Sequence, residues 1–133
     1  MHIEPYLFFD GRCEEAIEFY RATLGAEVTR LARFRDAPQT GMAPPGGEDK
    51  IMHAHLRIGE TSVLASDGRC AGNPRFEGFA LSVVAADDAE AERMFAALSD
   101  GGTVQMPMTQ TFFSSRFGMA ADRFGVSWMI HVA

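Results

Sequence analysis

The chain is written twice, and nothing else in it constrains the fold as strongly. Tyr6 to Phe9 is a short apolar run. Cys13, Ala16, Ile17, Tyr20 and Leu24 then recur at helical spacing, with Gly25 where a helix would stop. The same order returns from Phe79 to Val84, a second apolar run. Asp87 to Leu98 follows, with Ala91, Met94, Phe95 and Leu98 as its stripe, Asp87 or Asp88 as its cap and Gly101-Gly102 as its end. Each predicted helix is followed by three predicted strands. The first set is Glu27–Phe34, Ile51–Ile58 and Thr61–Ser66; the second is Thr103–Thr111, Arg116–Ala121 and Val126–Val132. The period of about 75 residues is too long for a solenoid array, so two copies of one sheet-forming unit are expected. This predicts an α+β domain of two packed sheet modules. Module one is placed at about 1–67, a linker at 68–77 and module two at about 78–133, in one domain spanning 1–133.

A chain of 133 residues is long enough to bury a core without staples. Its formal charge of −6, with no basic block, gives no reason to expect nucleic acid or an anionic membrane as partner. No apolar run approaches a membrane span. The opening MHIEPYLFFDGRCEE carries acids where a signal peptide carries bases, so a cytoplasmic location is expected. Cys13 and Cys70 are too few for a disulfide framework or a zinc cluster, and Cys13 falls on the helical stripe as a small core residue.

The strands divide into unlike faces. In Ile51–Ile58, Met52, Ala54, Leu56 and Ile58 are apolar, while His53, His55 and Arg57 share the other side. After the Asp122-Arg123-Phe124-Gly125 turn, Val126, Trp128, Ile130 and Val132 alternate with Ser127, Met129 and His131. Phe79, Leu81 and Val83 alternate with Gly78, Ala80 and Ser82. A half-exposed sheet would be richer in Lys and Glu on its wet side. Small residues and histidines read as a partly enclosed surface for a small ligand, or else as a filled second face or dimer contact; the first reading is preferred. His53-x-His55 has a spacing that can chelate a metal. Only His131 is available as a third donor, and no Asp or Glu joins them, so hydrogen-bonded or solvent-edge histidines are preferred.

Other signatures are missing. No glycine-rich loop follows a strand and opens a helix, and no Gly-x-Ser-x-Gly elbow is present. Ser114-Ser115 is explained by turn chemistry, Arg116 as a solvated arginine beside a turn, and Phe112 and Phe113 as core aromatics or the wall of a pocket. The connection Arg35–Lys50, with three prolines and three glycines, cannot hold regular structure and reads equally as a lid or a surface insertion.

PYLFFDGRCEEAIEFYRATLGAEV, IMHAHLRIGETSVLASD and RFGMAADRFGVSWMIHV together resemble the PhnB-like branch of the vicinal oxygen chelate superfamily, which includes glyoxalases, extradiol dioxygenases and bleomycin-binding proteins. The resemblance covers nearly the whole chain. It implies a glyoxalase-like fold of two βαβββ modules with cupped mixed sheets, assembled as a homodimer. In metal-dependent members four His or Glu ligands converge. On this chain their positions are taken to be Ile3 or Pro5, then His55, Gly78 and Met129, and only His55 is a metal ligand. The resemblance therefore implies no metal and no cofactor.

Two readings follow. In the preferred one the protein binds a small molecule without a metal, through His55, His53, Phe113, Ser127 and Met129. In the other it is an isomerase or lyase acting on a small carbonyl compound, with His55 as acid or base or with a metal held by His53, His55 and His131.

Overall fold

A computed structural model describes residues 1–37, 43–68 and 73–133. The middle of the Arg35–Lys50 connection, and with it the choice between lid and insertion, lies outside the described residues. So do Cys70 and residues 69–72 of the expected linker. The chain divides into two units, Met1–Pro74 and Arg75–Ala133.

In the first unit β1 (Tyr6–Phe8) leads into α1 (Cys13–Leu24), β2 (Glu27–Arg33), one 3-10 turn (Phe34–Asp36), β3 (Ile51–Ile58) and β4 (Thr61–Ser66). The sheet order is β1-β4-β3-β2, with β1 parallel to β4 and the other pairs antiparallel. The apolar stripe of α1 is buried at Cys13, Ala16, Ile17, Phe19 and Tyr20. The strands bury Leu7, Ala54, Leu56, Val63 and Ala65, which alternation places on one face of the sheet. Ile51 is buried as well, because the β2–β3 ladder shifts between Ala32 and Arg33. At the C-terminus of α1, Gly25 adopts φ 67° and its N–H donates to the Arg21 carbonyl.

The N-terminus of α1 is closed from a distance. Asp67, just past β4 and 1% exposed, accepts hydrogen bonds at Oδ1 from the N–H groups of Gly11 (3.0 Å) and Cys13 (2.7 Å). Its Oδ2 accepts from the N–H of Ile51 at 2.6 Å. One buried carboxylate thus ties the starts of α1 and β3 to the end of β4.

The second unit repeats the plan with β5 (Leu81–Ala85), α2 (Asp88–Ser99), β6 (Thr103–Thr109), β7 (Phe117–Ala121) and β8 (Ser127–Val132), in the order β5-β8-β7-β6. Of the two candidate caps, Asp87 is the one used: its carboxylate accepts from Glu90 N–H at 2.8 Å. The strand expected over Phe79–Val84 is shifted. It begins at Leu81, where pairing with Trp128 begins, and Gly78 at φ 81° and the exposed Phe79 precede it. The expected turn over Asp122–Gly125 is present. Asp122, also buried, accepts from the N–H groups of Phe124 and Val126 and from the Trp128 indole N–H. Gly102 admits no side chain, since a Cβ there would stand 2.1 Å from the Ala121 carbonyl oxygen.

The ladders carry the internal repeat to residue level in the middle of each sheet. Tyr6 and His55 flank Leu64 in one sheet, as Ser82 and Met119 flank Met129 in the other. Both sheets slip by one residue at matching places, between Val28 and Arg30 and between Val104 and Met106. Among the described residues no helix is long and apolar enough to cross a membrane.

Candidate functional site

The chemistry-bearing residues of the first unit lie on the sheet face away from α1. There β3 presents His53 and His55, β4 presents Leu64, and β1 presents Tyr6 and Phe8. Tyr6 and Phe8 stack with ring centroids 4.8 Å apart, and Phe8 remains 56% exposed. Tyr6 Oη lies 3.0 Å from His53 Nδ1. Burial of the Tyr6 phenol raises its pKa above the usual value. Ahead of β1, Glu4 stands between two imidazoles: Oε1 is 3.5 Å from His2 Nε2, and Oε2 is 3.8 Å from His55 Nε2.

Glu4 and Tyr6 correct the sequence expectation. The resemblance puts the first-strand position at Ile3 or Pro5, neither of which offers a donor. Leu7 is buried on the helix side, so alternation turns the even residues Tyr6 and Phe8 toward the histidines, and Glu4 reaches His55. A carboxylate therefore does join His55. The signal was in the sequence, in the parity of Leu7 and Phe9 as core residues.

In the second unit, Ser127, Met129 and His131 lie on the face away from α2 as expected. Gln105 Nε2 donates to Ser127 Oγ at 3.2 Å, and Met129 pairs with Met119 and Ser82. Phe113 is not in the core. It is 55% exposed, with its ring edge-on to Phe117 at 5.3 Å, and Phe112 beyond it is fully exposed. Phe117 in turn lies 6.3 Å from the His131 ring, whose Nδ1 is buried without a hydrogen-bond partner among the described residues. Ser114 is structural: its hydroxyl shares its one proton between the carbonyls of Arg116 and Val132 and accepts from Val132 N–H. Arg116 is not a lone solvated arginine, because Glu92 accepts from its Nε at 3.0 Å.

The four-ligand metal set implied by the superfamily does not fit these positions. Gly78 lies outside β5 at φ 81°. The repeat equivalent of His55 is Met119, not Met129, and Met129 corresponds to Leu64. Glu4 adds one donor beside His55, but the two carboxylate oxygens face different imidazoles. Among the described residues no group of three or more His, Cys, Asp or Glu converges on a point.

A groove of about 580 Å³ in the first unit is lined by Glu14, Arg33, Arg35, Asp36 and Asp49. Both of its arginines are already paired. Arg33 makes a two-pronged contact with Glu14 (2.6 and 3.1 Å), and Arg35 pairs with Asp49. Hydrogen bonding from Arg33 lowers the Glu14 pKa, and the same contact raises that of Arg33. This groove holds neither of the histidines of β3.

The sequence model of the 3-demethylubiquinone-9 3-methyltransferase family matches residues 1–131. The chain belongs to this family. Protein YjdN of Escherichia coli K12 is 34% identical over 140 residues, covering 99% of this chain and 95% of that one. Among solved structures, protein PA1353 from Pseudomonas aeruginosa is 41% identical with a TM-score of 0.87, covering 99% of this chain and 97% of that one. The PhnB protein from Bacillus cereus is 27% identical with a TM-score of 0.83 over the whole of both chains. The fold extends to FosX from Mesorhizobium loti, 12% identical with a TM-score of 0.67, covering 100% of this chain and 91% of that one. The PhnB-like resemblance read from the sequence thus holds, and so does the glyoxalase-like α+β fold with its two mixed four-stranded sheets.

Proposed function

We propose that this PhnB-like protein binds a small molecule without the help of a metal, on the face of the first sheet that carries Tyr6, Phe8, His53 and His55. The observation that carries the reading is the composition of that face. It joins a stacked, partly exposed aromatic pair to two imidazoles, one hydrogen-bonded to Tyr6 and one beside Glu4. An apolar platform with a few placed polar groups is how small-molecule sites are usually lined. The corresponding face of the second unit, with Phe113, Ser127 and Met129, carries no charged residue at the positions its ladders define, and is proposed by itself as a surface for uncharged ligand groups. Assembly as a homodimer and a cytoplasmic location belong to the proposal; no cofactor, nucleic acid or membrane does.

Methyl transfer, which the family description names, finds little support in the helix N-termini, the common seats of anionic cofactor groups. Asp67 occupies the amides at the start of α1, and Asp87 caps α2. A second reading is favoured by one contact. Glu4 beside His55 is a carboxylate–imidazole pair suited to proton transfer on a small carbonyl compound, the carboxylate stabilising the imidazolium as it forms.

Elemental analysis of protein purified without chelators, joined to thermal-shift titrations of Zn²⁺, Ni²⁺, Mn²⁺ and Fe²⁺ and a small-molecule screen, tests the proposal. A ligand that binds the folded state alone must raise the melting temperature. The expected result is no stoichiometric metal, no metal-specific shift, and small-molecule hits that are lost in His53→Ala. Stoichiometric metal with a specific shift overturns the metal-free reading. Turnover of a carbonyl substrate that is lost in Glu4→Gln and His55→Gln favours the second.

A further inference from the structure

Tyr6 Oη and His53 Nδ1 are at hydrogen-bond distance, so one of the two donates. A phenol is a stronger acid than a neutral imidazole N–H, and the imidazole nitrogen is the stronger base, so the phenol donates and Nδ1 accepts. Burial raises the Tyr6 pKa, which keeps its proton in place through the neutral range. With the phenol as donor, a neutral imidazole carries its one ring proton on Nε2. No described residue accepts from that N–H. In that arrangement Nε2–H is a hydrogen-bond donor without a partner among the described residues.

Across the β2–β3 ladder the small residue Ala32 stands opposite His53. Two residues earlier on the same face Arg30 stands opposite His55. Arg30 is there because the ladder slips between Val28 and Arg30; in a regular ladder Thr29 would take the position and Arg30 would turn to the helix side. No described residue pairs with the Arg30 guanidinium. Glu4 engages His55 rather than His53, so the negative charge on this face lies beside the other histidine.

We propose that the face binds an oxyanion carried by the ligand, between His53 Nε2–H and the Arg30 guanidinium, with Tyr6 as the positioning residue that holds His53 in its donor tautomer. The inference rests on the reading of this face as a ligand surface and names the ligand class: a planar, ring-bearing carboxylate or phosphonate, its ring on the Tyr6–Phe8 stack. Guanidinium and N–H donors both favour such groups, and charge-assisted bonds are about twice as strong as neutral ones.

Long-range ¹H–¹⁵N spectra of the histidine side chains read the tautomer, and titrations with benzoate, phenylphosphonate and the neutral benzamide read the anion. The expected spectrum has the His53 proton on Nε2 in the wild type and a mixture of tautomers in Tyr6→Phe. Benzoate or phenylphosphonate is expected to bind, and the stronger of the two identifies the group. Benzamide and the Arg30→Gln variant are each expected to bind roughly tenfold more weakly or worse, with partial recovery in Arg30→Lys. Melting curves confirm that each variant folds. A wild-type His53 protonated on Nδ1 overturns the inference. So does benzamide binding as tightly as benzoate with no effect of Arg30→Gln, a result that leaves the ligand surface standing. Failure of all three probes on the wild type removes the ligand surface as well.

Discussion

Asp67 offers the sharpest test of how the first unit is held together. Its buried carboxylate accepts from three backbone N–H groups, at Gly11, Cys13 and Ile51, over distances of 2.6 to 3.0 Å. Hydrogen bonds to a charged group contribute about 1.5–3 kcal/mol each, and desolvation of the carboxylate offsets part of the sum. Asp67→Ala leaves three amides without their acceptor in a site closed to water. The expected loss is about 3–5 kcal/mol, against a total stability of about 5–15 kcal/mol for a chain of this kind. Asp67→Asn separates charge from geometry. Its amide oxygen can still accept from Gly11 and Cys13, but its NH₂ group then faces the Ile51 N–H, donor against donor. An intermediate loss of about 2–3 kcal/mol is expected. Urea unfolding at pH 7 reads both, with an unchanged slope indicating that stability alone has moved. Amide hydrogen exchange is expected to quicken first at Gly11, Cys13 and Ile51. A loss below about 1 kcal/mol for the alanine variant, or an asparagine variant as stable as the wild type, refutes the reasoning.

Gly102→Ala forces a Cβ into the Ala121–Asp122 backbone and is expected to cost about 2–4 kcal/mol by thermal unfolding. Gly59→Ala, with open space around it but φ 59°, is expected to cost about 1 kcal/mol. The Glu14 pKa is lowered by the Arg33 hydrogen bond, so this contact stabilises the fold above the ordinary carboxylate pKa and its contribution is lost as pH falls through the depressed value. Because Glu14 is largely exposed, the effect is less than about 1 kcal/mol and weakens with salt; carboxyl NMR titration of Arg33→Gln is expected to return Glu14 toward its usual pKa. Burial, reinforced by Asp67 and Glu14, raises the Cys13 thiol pKa. In a Cys70→Ser background the native protein is expected to resist thiol reagents at pH 8 and to react only on unfolding.

The elements of the fold were legible where one residue type carried the signal. The stripe of α1, the Gly25 stop, the Asp122–Gly125 turn and the alternation of β8 are short-range patterns, and they reappear within a residue or two in the structure. Strand ends were less legible, as at Phe79, because a strand ends where its partner ends and not where its own apolar run does. The histidine face was readable from His53-x-His55. The side of β1 that faces it was readable from the parity of Leu7 and Phe9, but which of those residues meet the histidines, and that Arg30 joins them, was not, because both depend on register across the sheet.

The sequence by itself determined the doubled βαβββ plan, since helical and strand periodicities are local and each is repeated in full. Tertiary structure alone decided three things: that Asp67 caps a helix that begins 54 residues before it, that Glu4 and Tyr6 meet His55 and His53, and that a one-residue slip brings Arg30 beside them. Each depends on register between distant strands. A shift of one residue there reverses every side chain, while the local pattern that a sequence displays stays the same.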